Sequence, residues 1–260
     1  MSDLTRPGRS LRDLTPARIS LGRTGSSLTT AELLDFSLSH AQARDAVHAT
    51  LSLPTLLEEL TRRGLKPIAV RSAAPDRPTY LRRPDLGRKL SETSTTRLGE
   101  VSPTVTPSLA FILADGLSAL AVDRHAIPLI DALLPHLNEH FAFTPVVIAE
   151  QARVALGDEI APLLHAQLTI MLIGERPGLS SPDSLGAYIT WHPRPGRTDA
   201  ERNCISNIRT QGLDYATAAA KIAYLCLTAQ RLGFTGTQLK EAAPDPQQLL
   251  PSARRPPELG

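Results

Sequence analysis

The sequence predicts an α/β domain with a mostly parallel sheet, preceded by a mainly helical N-terminal part. Three observations predict it. Short apolar runs at 108–114, 145–149, 166–173 and 187–191, with a more polar one at 203–208, lack polar alternation and read as strands buried on both faces. Stretches with helical spacing separate most of them, the rhythm of a parallel sheet. The chain has 260 residues, 42% apolar and 21% charged, enough for a substantial core without disulfides or a structural metal.

Taken in order, residues 1–30 are rich in Arg, Ser, Thr and Gly, and Gly22 and Gly25 break any helix there. Leu33, Leu34, Phe36, Leu38, Ala41 and Val47 then give an apolar helical face over 30–50, with Thr29 or Thr30 as N-cap. His40, Arg44 and His48 fall at i, i+4 and i+8 on one polar stripe of that helix, a candidate docking face. A helix over 55–63 stops at Gly64, and residues 67–70 are extended. The Arg/Pro-rich stretch 80–88 reads as loop, and 91–107 as a polar connection. These shifts divide the chain into a helical part and linker (1–100), an α/β domain (101–243) and a tail (244–260).

In the α/β part, strand 108–114 ends at Asp115-Gly116, with helices over 117–122 and 127–139 after it. Strand 145–149, a helix over 152–165 and strand 166–173 follow. Gly174-Glu175-Arg176-Pro177-Gly178 closes that strand in a turn. Strands 187–191 and 203–208 and a helix over 215–231 complete the domain. Pro244, Pro246, Pro251, Pro256 and Pro257 crowd the tail too densely for a packed element.

In such sheets ligands bind beyond the carboxyl ends of the strands. Residues 115–116, 150–154, 174–181, 191–197 and 204–209 are therefore expected to converge. They supply Gly, Ser, Asn and Arg, which permit close backbone approach and offer donors. Val154, at a helix start, and Cys204, on an expected buried strand, read as core residues placed at the crevice edge.

Composition narrows the chemistry. A net charge of +2 does not imply nucleic acid, and no run approaches the roughly 20 apolar residues of a membrane span. The N-terminus lacks an apolar signal region and the chain holds two cysteines, Cys204 and Cys226, which points to the cytoplasm. No Gly-x-Gly-x-x-Gly, no Gly-x-x-x-x-Gly-Lys-Ser/Thr and no Gly-x-Ser-x-Gly occurs, so dinucleotide, nucleoside-triphosphate and α/β-hydrolase sites are unsupported. His136-Leu137-Asn138-Glu139-His140 matches a zinc pattern, but so short a match arises readily by chance on a helix end. Asp123-Arg124-His125 opens like a cobalamin-ligating Asp-x-His-x-x-Gly motif, yet Pro128 stands where that motif needs Gly. No metal ligand and no catalytic residue is assigned.

Several blocks together resemble one family, the ethanolamine ammonia-lyase small (light) chains. They are TPARISLGRTGSSL (15–28), LLDFSLSHAQARDAVH (33–48), YLRRPDLGRKL (80–90), ADGLSA (114–119), PVVIAEQARVALGDEI (145–160), LIGERPGLSSPDSLGAYITWHPR (172–194) and TDAERNCISNIR (198–209). The resemblance implies a Rossmann-like α/β domain behind a small helical part. It implies a large TIM-barrel partner subunit, heterodimers assembling to six of each chain, and enclosure in a bacterial microcompartment as an option. It implies base-on adenosylcobalamin shared between the chains, and radical conversion of ethanolamine to acetaldehyde and ammonia with the catalytic residues on the large chain. The valine of QARVALGDEI, the glutamate of GERPGL and the cysteine of CISNI carry the family's light-chain cobalamin contacts, here Val154, Glu175 and Cys204. Two other classes stay open, a scaffold without cofactor contact and a stand-alone α/β enzyme on a small substrate.

Overall fold

A computed structural model describes Thr15, Arg18, Ile19 and residues 21–240. The expected Pro-rich tail, 244–260, lies outside the described residues. A hairpin of β1 (Arg23–Thr24) and β2 (Ser27–Leu28) turns at Gly25, whose φ of 64° suits glycine. Next come α1 (Thr30–His48), capped by the Thr29 hydroxyl, and α2 (Leu53–Arg62), whose chain reverses at Gly64 with φ 74°. Then follow β3 (Pro67–Arg71), α3 (Arg77–Arg82) and α4 (Glu92–Gly99). The remaining elements are β4 (Ser108–Ala114), α5 (Ala119–Leu137), β5 (Ala142–Phe143), β6 (Val146–Glu150), α6 (Gly157–Leu163), β7 (Leu168–Gly174), β8 (Leu185–Trp191), β9 (Asn203–Ile208) and α7 (Tyr215–Leu232).

The fold is mixed α/β around a mostly parallel sheet, as the sequence predicts. Its order is β3-β6-β4-β7-β8-β9, with β5 pairing the start of β4. From β3 to β7 the neighbours are parallel; β8 and β9 are antiparallel to the strands before them. The reversal at β8 follows from chain length. Residues 175–184 contain no helix and are too few for a parallel crossover, which takes a dozen or more. The sheet also runs across residue 100, since β3 pairs with β6 from Pro67↔Val146 to Arg71↔Glu150.

β4 is buried along its whole length and feeds two cores. Leu109, Phe111 and Leu113 face α2, α5 and α7; Ala110, Ile112 and Ala114 face α4 and α6. Pleating alone sorts them, because both sets are apolar. Two expected helices, 117–122 and 127–139, are one helix, α5, running through Pro128 and Pro135. An internal proline costs about 3 kcal/mol. Ile127, Leu129, Ile130 and Leu133 are buried around it at about 1.5–3 kcal/mol each, so packing wins.

Three further expectations are corrected. The 80–88 loop is entered through α3, capped by Asp76 accepting from the Thr79 N–H at 2.7 Å with a proline in the first turn, and continues as a 3-10 turn at Leu86–Arg88. The connection 91–107 contains α4, capped by Ser91. The helix over 152–165 shortens to a 3-10 turn at Val154–Leu156 plus α6, leaving Arg153 extended with ψ 160°.

Candidate functional site

α5 leaves β4 toward one face of the sheet and α6 leaves β6 toward the other. The crevice between the carboxyl ends of these neighbouring strands is where such folds take ligands. Asp115, 3% exposed, braces it. Its carboxylate accepts from the backbone N–H groups of Gln151 and Ala152, each at 2.9 Å, and from Arg77 Nη1 at 3.1 Å. Burial lifts its pKa to about 6 while these donors pull it back, so it is ionised at neutral pH. The brace holds Gln151 at φ 56° and turns the chain outward toward Arg153 and Val154. Arg77 also donates to the carbonyls of Val47 and Gly116, and its guanidinium lies 4.8 Å from the Tyr80 ring centre. Tyr80 is fully buried and donates to the Ala152 carbonyl at 2.9 Å.

Two clefts open beside this brace. One, of about 310 Å³, is lined by Tyr80, Gly116, Leu117, Arg153, Val154, Ile173, Gly174, Glu175, Arg176 and Tyr188. The other, of about 510 Å³, is lined by Arg88, Arg153, Val154, Ala155, Tyr188, Arg197, Thr198 and Asp199. Val154 lines both, and Glu175 the first. Glu175 Oε2 accepts from the Ser184 hydroxyl and from the Asn207 N–H at 3.2 Å, and the side chain packs over Gly186. Asn207 reaches that position in a left-handed conformation, φ 60°, which Asn tolerates.

Cys204 sits directly across from Tyr188 in the β8–β9 ladder. It is exposed, which corrects its reading as a buried strand residue. β9 is an edge strand: Ile205 and Ile208 pack toward α5 and α7, while Cys204 and Ser206 share the open face, their side chains 3.4 Å apart. Val154, Glu175 and Cys204 thus surround Tyr188. The expected convergence of five segments is corrected as well. Trp191 pairs with Leu168, at the opposite end of the sheet, because β8 runs antiparallel. Residues 197–199 return to the second cleft, and Cys204 joins from the sheet face rather than a strand end.

The surface suits binding better than acid–base chemistry. The Cys204 thiol is pushed up by the desolvation it meets against the sheet even though the residue is exposed, and its partners are the hydroxyls of Ser206 and Tyr188, neither of them a base at neutral pH. Tyr188 is itself raised by burial. His125, 3% exposed, is held by Tyr215 at 2.8 Å and Asp183 at 3.4 Å, and burial lowers its pKa. Both ring nitrogens therefore serve the fold. His136, Glu139 and His140 do not converge on a common point: among the described residues no three His, Cys, Asp or Glu side chains could hold a metal ion. No described helix is long and apolar enough to cross a membrane.

Sequence reasoning missed Tyr80, Arg88, Arg153 and Tyr188. A signal existed for two of them. Asp76 three residues before Thr79, with Pro78 between, marks the cap that draws Tyr80 inside. Strand alternation places Tyr188 opposite its core neighbours Ala187 and Ile189.

The chain matches the family model described as ethanolamine ammonia-lyase light chain over residues 5–240. It is 55% identical over 240 residues to an ethanolamine ammonia-lyase small subunit of Azotobacter vinelandii, covering 91% of this chain and 89% of the relative. It is 52% identical over 240 residues to the small subunit of Pseudomonas aeruginosa strain LESB58, covering 91% and 88%. Over 255 residues it is 52% identical to that of Xanthomonas campestris pv. campestris strain B100, covering 95% and 93%.

Proposed function

The chain belongs to the ethanolamine ammonia-lyase light-chain family, and on that premise we propose that it completes the adenosylcobalamin site of a lyase whose large subunit carries the catalytic residues. The observation that carries the reading is the grouping of Val154, Glu175 and Cys204 around Tyr188 on one open face. The residues fit such a group. Val154, Ala155, Leu117 and Tyr188 offer apolar surface to a corrin edge, and Glu175 Oε1, which accepts no hydrogen bond among the described residues, can accept from its amide side chains. The bound cofactor would supply the adenosyl radical that starts deamination of ethanolamine. This chain's part is to orient the corrin and exclude water from it.

Ammonia release from ethanolamine with added adenosylcobalamin tests the reading. Activity is expected only when this chain and the large chain are co-expressed. Glu175→Ala should weaken cobalamin binding by about tenfold, the worth of one charge-assisted hydrogen bond, and leave assembly intact. Full activity from the large chain alone would leave this chain a scaffold. Turnover by this chain alone would move catalysis onto it.

α1 is the proposed docking element for the large subunit. Its apolar residues do not pack on the core as periodicity suggests: Leu34 is 65% exposed and Leu38 58%, and Ala46 is the helix's buried residue. His40, Arg44 and His48 are exposed beside them. Its last turns line a cleft of about 690 Å³ with Pro182, Asp183 and Arg209, next to Ser184, which holds Glu175. Exposed apolar surface of this kind marks contact with another chain. Leu34→Asp combined with Arg44→Glu should abolish co-purification with the large subunit; retention of the complex would sink the docking role.

A further inference from the structure

The second cleft holds two guanidinium groups that the fold leaves without an acceptor. Among the described residues, neither Arg88 nor Arg153 makes a side-chain hydrogen bond or ion pair, and Arg153 Nε is buried and unsatisfied. A buried, unpaired donor on a charged group is costly unless something else satisfies it. The other charges of the cleft are already engaged. Arg197 pairs with Glu201, and the exposed carboxylate of Asp199 lies 3.7 Å from Arg202. Arg88 and Arg153 are the uncompensated positive pair.

Their placement is built, not incidental. The Arg153 guanidinium stacks 4.3 Å from the Tyr80 ring centre, and its backbone N–H donates to the Gly87 carbonyl at 2.8 Å. A Cβ on Gly87 would come within 2.8 Å of Tyr80 and 3.0 Å of the Arg153 side chain. Glycine there lets the Arg88 turn close onto Arg153. Arginine in a fixed plane suits a phosphate, which it can bind through two parallel N–H groups.

We propose that Arg88 and Arg153 form an anion subsite for the phosphodiester of the cobalamin nucleotide loop. The inference rests on the cofactor reading above. In that reading the adenosyl ligand must face the substrate on the large chain. The cofactor's one phosphodiester, on its nucleotide loop, would then be the anion available to the two unpartnered guanidiniums of this chain.

The test uses the co-expressed complex and two probes: cyanocobalamin, and cobinamide, which keeps the corrin amides and lacks the nucleotide phosphodiester. Wild type should bind cyanocobalamin more tightly in equilibrium dialysis. Arg88→Met with Arg153→Met should lose about tenfold or more for cyanocobalamin and nothing for cobinamide, with the complex unchanged in size. Arg88→Met alone, an exposed change, should show part of the same selective loss. Equal losses for both probes, or no loss, would overturn the subsite. Failure of the Arg88→Met complex to assemble would reassign the pair to carboxylates of the large chain. Wild-type complex that binds neither probe would overturn the cofactor reading itself, an outcome separate from the others.

Discussion

Gly174→Ala should unfold the carboxyl end of β7 and empty the site with it. Gly174 is the last residue of β7 and precedes Glu175. A Cβ there would stand 2.0 Å from the Ser118 carbonyl oxygen and 2.6 Å from that of Asp115. Both are backbone atoms, so no side chain can swing aside. Backbone conformation is not the obstacle, since Gly174 is absent from the left-handed residues; space alone demands glycine. Relief requires β7 to part from the turn after β4, breaking the hydrogen bond from the Leu117 N–H to the Gly174 carbonyl at 2.9 Å. The expected loss is roughly 3 kcal/mol or more, at the top of the range for overpacking. Denaturant unfolding of the variant measures it, and cobalamin binding to any complex that forms should fall in parallel. An unchanged unfolding midpoint would show that the strand end yields, contrary to this packing.

Asp115→Ala is expected to be nearly as severe, by a different route. It removes the acceptor of two backbone N–H groups and of Arg77, whose guanidinium stays buried. Breaking a buried ion pair from one side typically costs about 3–5 kcal/mol, because the remaining charge is uncompensated. Arg77 already carries one unsatisfied buried nitrogen, Nη2, and the Val47 and Gly116 carbonyls that it would keep are neutral acceptors that do not balance its charge. The variant should unfold at markedly lower denaturant. Where it does fold, the turn bearing Arg153 and Val154 should exchange amide hydrogens faster than wild type. Replacing Arg77 as well, with Met, should recover part of the stability. A double variant no better than Asp115→Ala would mean that the lost backbone hydrogen bonds, rather than the stranded charge, carry the cost.

The strand runs were legible because continuous apolar stretches have few alternatives in a domain of this size. Helix ends were less so. The helices expected over 117–122 and 127–139 are one, because the side chains buried around Pro128 carry α5 through. Arg/Pro composition hid α3, although the Asp76 cap was written in the chain. Among the expected contact residues, Val154, Glu175 and Cys204 came from the family resemblance. Residue spacing alone left two of them as core.

What the sequence determined by itself was the alternation of apolar strands and helices, the glycine-marked turn at 174–178 and the family to which these blocks belong. These are local properties, set by apolar content, turn chemistry and motif identity along the chain. The tertiary structure decided which way β8 runs, that Cys204 faces out, that α1 leaves its apolar side exposed, and that Arg88 and Arg153 line one cleft. Each of these depends on the pairing and packing of segments far apart in the chain, and a strand's pleat or a helix's exposed side is fixed only when its neighbour is in place.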